Sequence, residues 1–207
     1  MQVKLLWHTP TAVAGMAGRI CWNSFDKGEV KHPTKQSIDE LYDGLETEFL
    51  DRIANKYKHE SVIEHIVYSF YIGDIPRFVL QELARHRMAS LSVKSTRYTL
   101  KELKDETNIE QNAEKYAVLS GDSLIDDTII ESLENTAYLL RRGRSNDEVK
   151  FSLTEAYKTE LLWTINARSL RNFLNLRDSK SAHRSIRELA QAIKEAIPEE
   201  HKFLFNS

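Results

Sequence analysis

Apolar residues recur along this chain with two different periods, and the change of period predicts the elements. Residues 3–7 form a short apolar run that predicts a strand. Residues 11–22, rich in Ala, Gly and Met, predict a helix, and residues 26–33, with Gly28, several charges and His32, predict a loop. From 37 to 57, Leu41, Leu45, Phe49 and Ile53 return every four residues and predict one helical face, capped by Thr34 or Ser37. Over 62–72 the period shortens: Ile66, Tyr68, Phe70 and Ile72 alternate among β-branched and aromatic residues, which predicts a strand ended by Gly73 and Asp74. Pro76 then stands where a helix starts, because its missing N–H would be an orphan donor there. Phe78, Val79, Leu80 and Leu83 give that helix its apolar side. Residues 85–98 have no clean period. Residues 100–127 are polar and acidic with helical stretches, and 128–142 and 150–176 predict helices joined by a charged link at 141–147. Residues 181–197 predict a last amphipathic helix, with Ile186, Leu189, Ala190, Ile193 and Ile197 inward.

Composition narrows the class. Seven glycines and four prolines in 207 residues leave little material for tight turns, which favours a largely helical chain over a sandwich or barrel. With 41% hydrophobic and 29% charged residues, the chain has enough apolar material for one core, and a single domain over 1–207 is expected. No apolar run approaches the roughly 20 residues of a membrane span, and the first ten residues do not read as a secretory signal. A cytoplasmic protein without a membrane partner is expected. The net charge of -2 argues against a nucleic-acid binder that relies on bulk positive charge. The one cysteine, Cys21, has no partner for a disulfide, and its bulky apolar neighbours predict a buried, inert thiol.

Three segments carry candidate chemistry. Arg85-His86-Arg87 is followed by Ser90, Ser92, Ser95, Arg97 and Tyr98, a serine-rich, Arg-flanked stretch that suits anions, since guanidinium forks and hydroxyls both donate to phosphate oxygens. Glu82 and Arg85 share one helical face, whereas Arg85 and Arg87 would point apart unless the helix ends there. The alternative is a solvated basic loop. His59-Glu60-Ser61-Val62-Ile63-Glu64-His65 lacks the second histidine four residues after the first that a zinc helix needs, so no metal is expected and a polar turn before the strand is the plainer reading. Between Asn166 and Arg177, Asn166, Phe173 and Arg177 fall near one helical face, Arg168 and Asn172 form another pair, and Leu170 and Leu174 turn to a core. Ion pairing with Glu155 or Glu160 is the structural alternative there. No glycine-rich phosphate loop and no nucleophile elbow is present.

Taken together the three segments resemble the flavin-dependent thymidylate synthases. The signature R-H-R-x-x-S-x-N-x-x-S-x-R-Y is matched by Arg85, His86, Arg87, Ser90, Ser95, Arg97 and Tyr98, with Ser92 in place of Asn. H-x-[ST]-x-x-E-H is matched by His59, Ser61, Glu64 and His65, and N-A-R-S-x-x-N-F-x-x-L-R by the segment from Asn166 to Arg177. The resemblance implies conversion of dUMP to dTMP with 5,10-methylenetetrahydrofolate as carbon donor and NADPH as reductant, through FAD. It implies a homotetramer with shared active sites and an α+β fold, an antiparallel sheet flanked by long helices, not a Rossmann fold. By motif position, His59, Ser61, Arg85, His86, Arg87, Asn166, Arg168 and Asn172 would meet FAD. Glu82, Arg85, Ser95, Thr96, Arg97, Lys150 and Arg177 would meet dUMP. Arg177 would be the catalytic residue, stabilising negative charge on the uracil ring. Many members carry Gln, Glu and Arg where this chain has Glu82, Val93 and Lys150, and Lys150 keeps the charge but loses the fork. Two other readings compete: a flavin enzyme with another nucleotide substrate, and a non-catalytic RNA- or nucleotide-binding protein using the 85–97 loop with Arg141, Arg142 and Arg144.

Overall fold

The computed structural model describes residues 1–28, 30–35, 37, 39–40 and 46–205. Four strands, β1 (Gln2–His8), β2 (Val67–Pro76), β3 (Ala89–Val93) and β4 (Lys158–Asn166), form an antiparallel sheet in the order β1-β2-β4-β3. The longer helices are α1 (Thr11–Trp22), α2 (Phe78–Leu83), α3 (Ile109–Tyr116), α4 (Ser123–Arg141), α5 (Ala167–Arg177) and α6 (Arg184–Ala196). This is the expected α+β class. Among the described residues no helix is long and apolar enough to cross a membrane.

Several boundaries differ from the sequence pattern. Residues Glu60–His65 are a 3-10 turn, so β2 begins at Val67, and it runs through Gly73 and Asp74 instead of stopping there. Burial alternates up to Ile72 and then slips by one residue, and Asp74 takes a left-handed φ of 54°, a conformation aspartate tolerates. Pro76 closes this strand, and α2 starts only at Phe78. The helix expected over 150–176 is instead a 3-10 turn, the strand β4 and the helix α5. In β4 the buried side chains are Thr159, Leu161, Trp163 and Ile165, every second residue, so the period is that of a strand. No glycine or proline separates strand from helix. The boundary is Asn166, whose Oδ1 accepts from the Ser169 N–H at 2.8 Å as an N-cap. The short β3 gave no apolar signal because it lies at the edge of the sheet and carries Ser90 and Ser92. Within 37–57 the described residues form a helical turn, Thr47–Leu50, and a π-helical turn, Asp51–Lys56, with Phe49 and Ile53 buried. Leu41 and Leu45 lie outside the described residues. Ser37 Oγ accepts from the Glu40 N–H at 3.2 Å and Glu40 returns a bond to the Ser37 N–H at 2.9 Å, a reciprocal capping pair.

The backbone divides into two compact units. The first comprises Met1–Gln2, Ile72–Arg85 and Leu91–Leu161. Its core is built from Ile109, Ala113 and Tyr116 of α3 and Ile129, Leu133, Ala137 and Leu140 of α4, with Leu100, Leu103, Val149 and Tyr157. Helix α4 begins five residues earlier than the pattern suggests, because Asp122 caps it by accepting from the Leu124 and Ile125 N–H groups.

The second unit comprises Val3–Tyr71, His86–Ser90 and Leu162–Ser207. Phe70, Trp163 and Phe173 make a buried ring cluster, Trp163 meeting Phe173 edge-on at 4.9 Å. Helix α1 buries Arg19, which pairs with Glu46 at 2.9 Å, and Glu46 also accepts from the Val30 N–H at 3.2 Å. A Cβ on Gly28 would fall 2.4 Å from Arg19 Nη2, so this loop needs a residue without a side chain. Cys21 is exposed, contrary to the expected burial: α1 turns Ala12, Ala14 and Gly18 inward and leaves Ile20, Cys21 and Trp22 outside.

The last segment, Glu199–Phe205, is held partly by a buried bond between Tyr68 Oη and His201 Nδ1 at 2.8 Å. Burial, and secondarily His8, pushes His201 down to about 4. In the unfolded chain an ordinary histidine takes up its proton near pH 6.5. Between about pH 6.5 and 4 the unfolded state therefore binds a proton that the folded state refuses, and stability falls as pH falls through that window. Urea midpoints are expected to show a loss of about 1–2 kcal/mol between pH 7 and 5. His201→Asn is expected to flatten that slope, and an unchanged slope would assign the acid sensitivity to other groups.

Candidate active site

The first motif segment is a rigid turn on the second unit. Lys58 takes φ 58°, and the His59 N–H donates to the Ile53 carbonyl at 2.9 Å. The following 3-10 turn buries Val62 and Ile63 and leaves His59, Ser61, Glu64 and His65 exposed. The His59 ring meets Trp22 edge-on at 5.6 Å. The polar-turn reading of this segment thus holds for its backbone, with its donors displayed outward.

The third segment is α5, which contacts the first segment and His86. It buries Ala167, Leu170, Arg171, Phe173 and Leu174 and exposes Arg168 and Asn172. At its start, Arg168 Nη1 pairs with Glu64 at 2.6 Å and its Nε lies 3.6 Å from Glu60. The Glu64 bond pushes the Arg168 pKa further up, so this side chain is a permanent cation. One turn on, buried Arg171 donates to Glu60 at 2.7 Å, to Asn55 at 2.8 Å and to the Leu204 carbonyl at 2.9 Å. The acids that take up these arginines are Glu60 and Glu64, in place of the expected Glu155 or Glu160. At its end, half-buried Arg177 donates from Nε to His86 Nε2 at 3.2 Å. His86 is buried and packs edge-on against Phe173 at 4.9 Å. Arg87 is exposed beside it.

The first unit holds the remaining candidates. Helix α2 ends at Leu83, ahead of both arginines, so Arg85 stands beyond it, exposed, and does not share a helical face with Glu82 as the spacing predicts. Glu82 sits half-buried in the last turn of α2. Ser95 is the N-cap residue of the turn Thr96–Thr99, and its side chain makes no capping bond there. Ser95 and Arg97 are exposed, whereas Thr96 is buried. Arg97 donates from Nε to Asp147 Oδ2 at 3.0 Å, and Lys150 Nζ donates to Asp147 Oδ1 at 2.7 Å. Lys150 first, and then Arg97, holds the Asp147 carboxyl below the usual range. Ser92 and Val93, two of the departures from the family pattern, are exposed on β3.

Three partners of the candidate residues stand outside the motif positions: Glu60, Arg171 and Asp147. Glu60 and Arg171 sit inside quoted motifs at variable positions. Asp147 precedes Lys150 by three residues, the spacing of a helical ion pair, and that was its only signal. Among the described residues no three His, Cys, Asp or Glu side chains are grouped to hold a metal ion.

Comparison with known proteins bears on the whole chain. The family model described as thymidylate synthase complementing protein matches residues 4–201. A flavin-dependent thymidylate synthase of Campylobacter jejuni is 49% identical over 209 residues, covering 99% of this chain and 96% of the relative. That of Wolinella succinogenes is 47% identical, covering 99% and 97%. The crystal structure of the flavin-dependent thymidylate synthase ThyX from Helicobacter pylori, complexed with FAD and dUMP, superposes with a TM-score of 0.86 at 39% identity, covering 100% of this chain and 98% of that one.

Proposed function

The chain belongs to the flavin-dependent thymidylate synthases, and from that premise we propose that it methylates dUMP reductively to dTMP, with FAD as cofactor, 5,10-methylenetetrahydrofolate as carbon donor and NADPH as reductant. One observation carries the reading beyond membership: at one end of α5 Arg168 pairs with Glu60 and Glu64 of the first motif segment, and at the other Arg177 bonds His86 of the second.

The donors fit FAD. His59, Ser61, Arg87, Arg168 and Asn172 are exposed and offer guanidinium, hydroxyl, imidazole and amide groups. Such a set suits a diphosphate and a heteroaromatic ring. Arg85, His86 and Asn166 complete it, although Asn166 also spends its Oδ1 on capping α5. Bound there and reduced by NADPH, the flavin would supply the hydride that completes the methyl group. For dUMP, Ser95 and Arg97 hold the phosphate with side-chain donors, and Thr96, being buried, offers its main chain. Lys150 adds positive charge. Glu82 and Arg85 face the nucleotide, Glu82 as an acceptor for uracil N3–H. Arg177 stabilises the negative charge that develops on the ring as N3 loses its proton, which raises electron density at C5.

We read the 207 residues as one catalytic domain, because β2 and β4 each pass from one unit into the other without a linker. We read the active form as a cytoplasmic homotetramer with shared sites. Exposure of large apolar side chains such as Phe151 at 97%, Leu124 at 75% and Met88 at 71% supports burial against further copies.

Release of tritium from C5-labelled dUMP tests the reaction. Release is expected only with FAD, NADPH and methylenetetrahydrofolate all present. No release from folded, FAD-saturated protein would overturn the substrate assignment and favour another nucleotide on the same scaffold.

A further inference from the structure

Asp147 lies between two cations that the proposed function assigns to the nucleotide phosphate, and it takes one oxygen to each. Oδ2 receives Nε and Nη2 of Arg97, both at 3.0 Å, and Oδ1 receives Nζ of Lys150 at 2.7 Å. The three side chains remain between 39% and 62% exposed, so the cluster is open to solvent and to an anion. Its frame is fixed. Asn146 Nδ2 donates to the Arg97 carbonyl at 2.7 Å, and Ser145 and Glu148 close a capping box around the Asn146–Val149 turn. A carboxylate presents two oxygens and one negative charge. A phosphate monoester presents three oxygens and about -1.5 to -2 charges at pH 7. The same donors cannot saturate both.

Resting on the assignment of Arg97 and Lys150 to the dUMP phosphate, we propose that Asp147 is a built-in competitor for that phosphate, a carboxylate that occupies the anion position until a nucleoside monophosphate displaces it. It acts through Arg97 and Lys150 and is a positioning residue. Weak monoanions do not out-compete a tethered carboxylate, so the cation pair stays clear for the dianionic ester. The product dTMP carries the same phosphate, so the returning carboxylate also favours its release. Simple competition weakens every ligand that must displace Asp147 by one common factor, and it leaves a ligand without phosphate untouched.

The test uses FAD-loaded protein and measures dissociation constants by calorimetry for dUMP, dTMP, inorganic phosphate and deoxyuridine, in wild type, Asp147→Asn and Arg97→Ala. Two exposed ion pairs are removed by Asp147→Asn, so dUMP, dTMP and inorganic phosphate are each expected to tighten by a shared factor of roughly three to ten at low salt. Deoxyuridine is expected to stay the same, and the gain should shrink at high salt. A purely structural role would move deoxyuridine with the rest. Weaker or unchanged dUMP binding in Asp147→Asn, with Arg97→Ala also weakened, would show that the carboxylate organises the site or is idle, and would overturn the proposal alone. Unchanged dUMP binding in Arg97→Ala would overturn the phosphate assignment and the proposal with it.

Discussion

Arg177→Ala is expected to lower turnover at saturating dUMP by about 10²–10³-fold while changing FAD affinity only a few fold. The side chain stands at the C-terminal end of α5, half-buried, with Nε donating to His86 Nε2 at 3.2 Å. The guanidinium N–H donates to the imidazole, which holds the Arg177 side chain in place. The phenyl ring of Phe173, edge-on to His86, fixes the imidazole in turn. What remains is one oriented cation, the element needed to stabilise a uracil anion. Arg177→Lys keeps the charge and loses the planar fork, so it should fall between wild type and Ala. Tritium release gives the rate and flavin fluorescence titration gives the affinity. Near-normal turnover in Arg177→Ala would remove the residue from the chemistry, and complete loss of FAD would move it to the flavin.

The candidate site was legible in the sequence because motif residues keep their identity whatever element carries them. His59, His86 and Arg177 are candidates through the family motifs they match, and the fold brings Arg177 within a hydrogen bond of His86. Most of their supports were not legible, because Glu60 and Arg171 become partners through contacts between segments far apart in sequence, such as the one between Arg171 and the Leu204 carbonyl, and Asp147 showed only its three-residue spacing to Lys150. The fold was legible where one period ran unbroken, as in α6, whose inward residues Ile186, Leu189, Ala190 and Ile193 are buried as the pattern predicts. It was misread where two elements abut without punctuation. β4 and α5 share the segment Trp163 to Leu170, and both periods put apolar residues there. Only the capping role of Asn166 separates them. Pro76 and Gly73 misled in the opposite way, since a strand can hold both where its alternation slips.

Arg171→Met is expected to cost about 3–5 kcal/mol of folding stability, against little change for Arg168→Ala three residues earlier. Arg171 is only 7% exposed and donates to a carboxylate, an amide oxygen and a main-chain carbonyl on three separate segments. Methionine fills much of the volume but leaves the Leu204 carbonyl without its Arg171 donor and Glu60 with only the 3.6 Å contact to Arg168, and an acceptor left unmatched in the interior costs its desolvation. Arg168 is half-exposed and its pairs lie at the surface, where ion pairs contribute little to folding. The order should reverse for FAD: Arg168→Ala is expected to weaken binding, whereas the Arg171→Met protein that remains folded should bind through an unaltered set of exposed donors. Urea midpoints and flavin titration on the same samples separate the two effects. Equal midpoints for both variants would mean that the Arg171 network does not hold the C-terminal turn. Lost FAD binding in folded Arg171→Met would mean that Glu60, released from Arg171, no longer keeps Arg168 in place, and the support would then belong to the site itself.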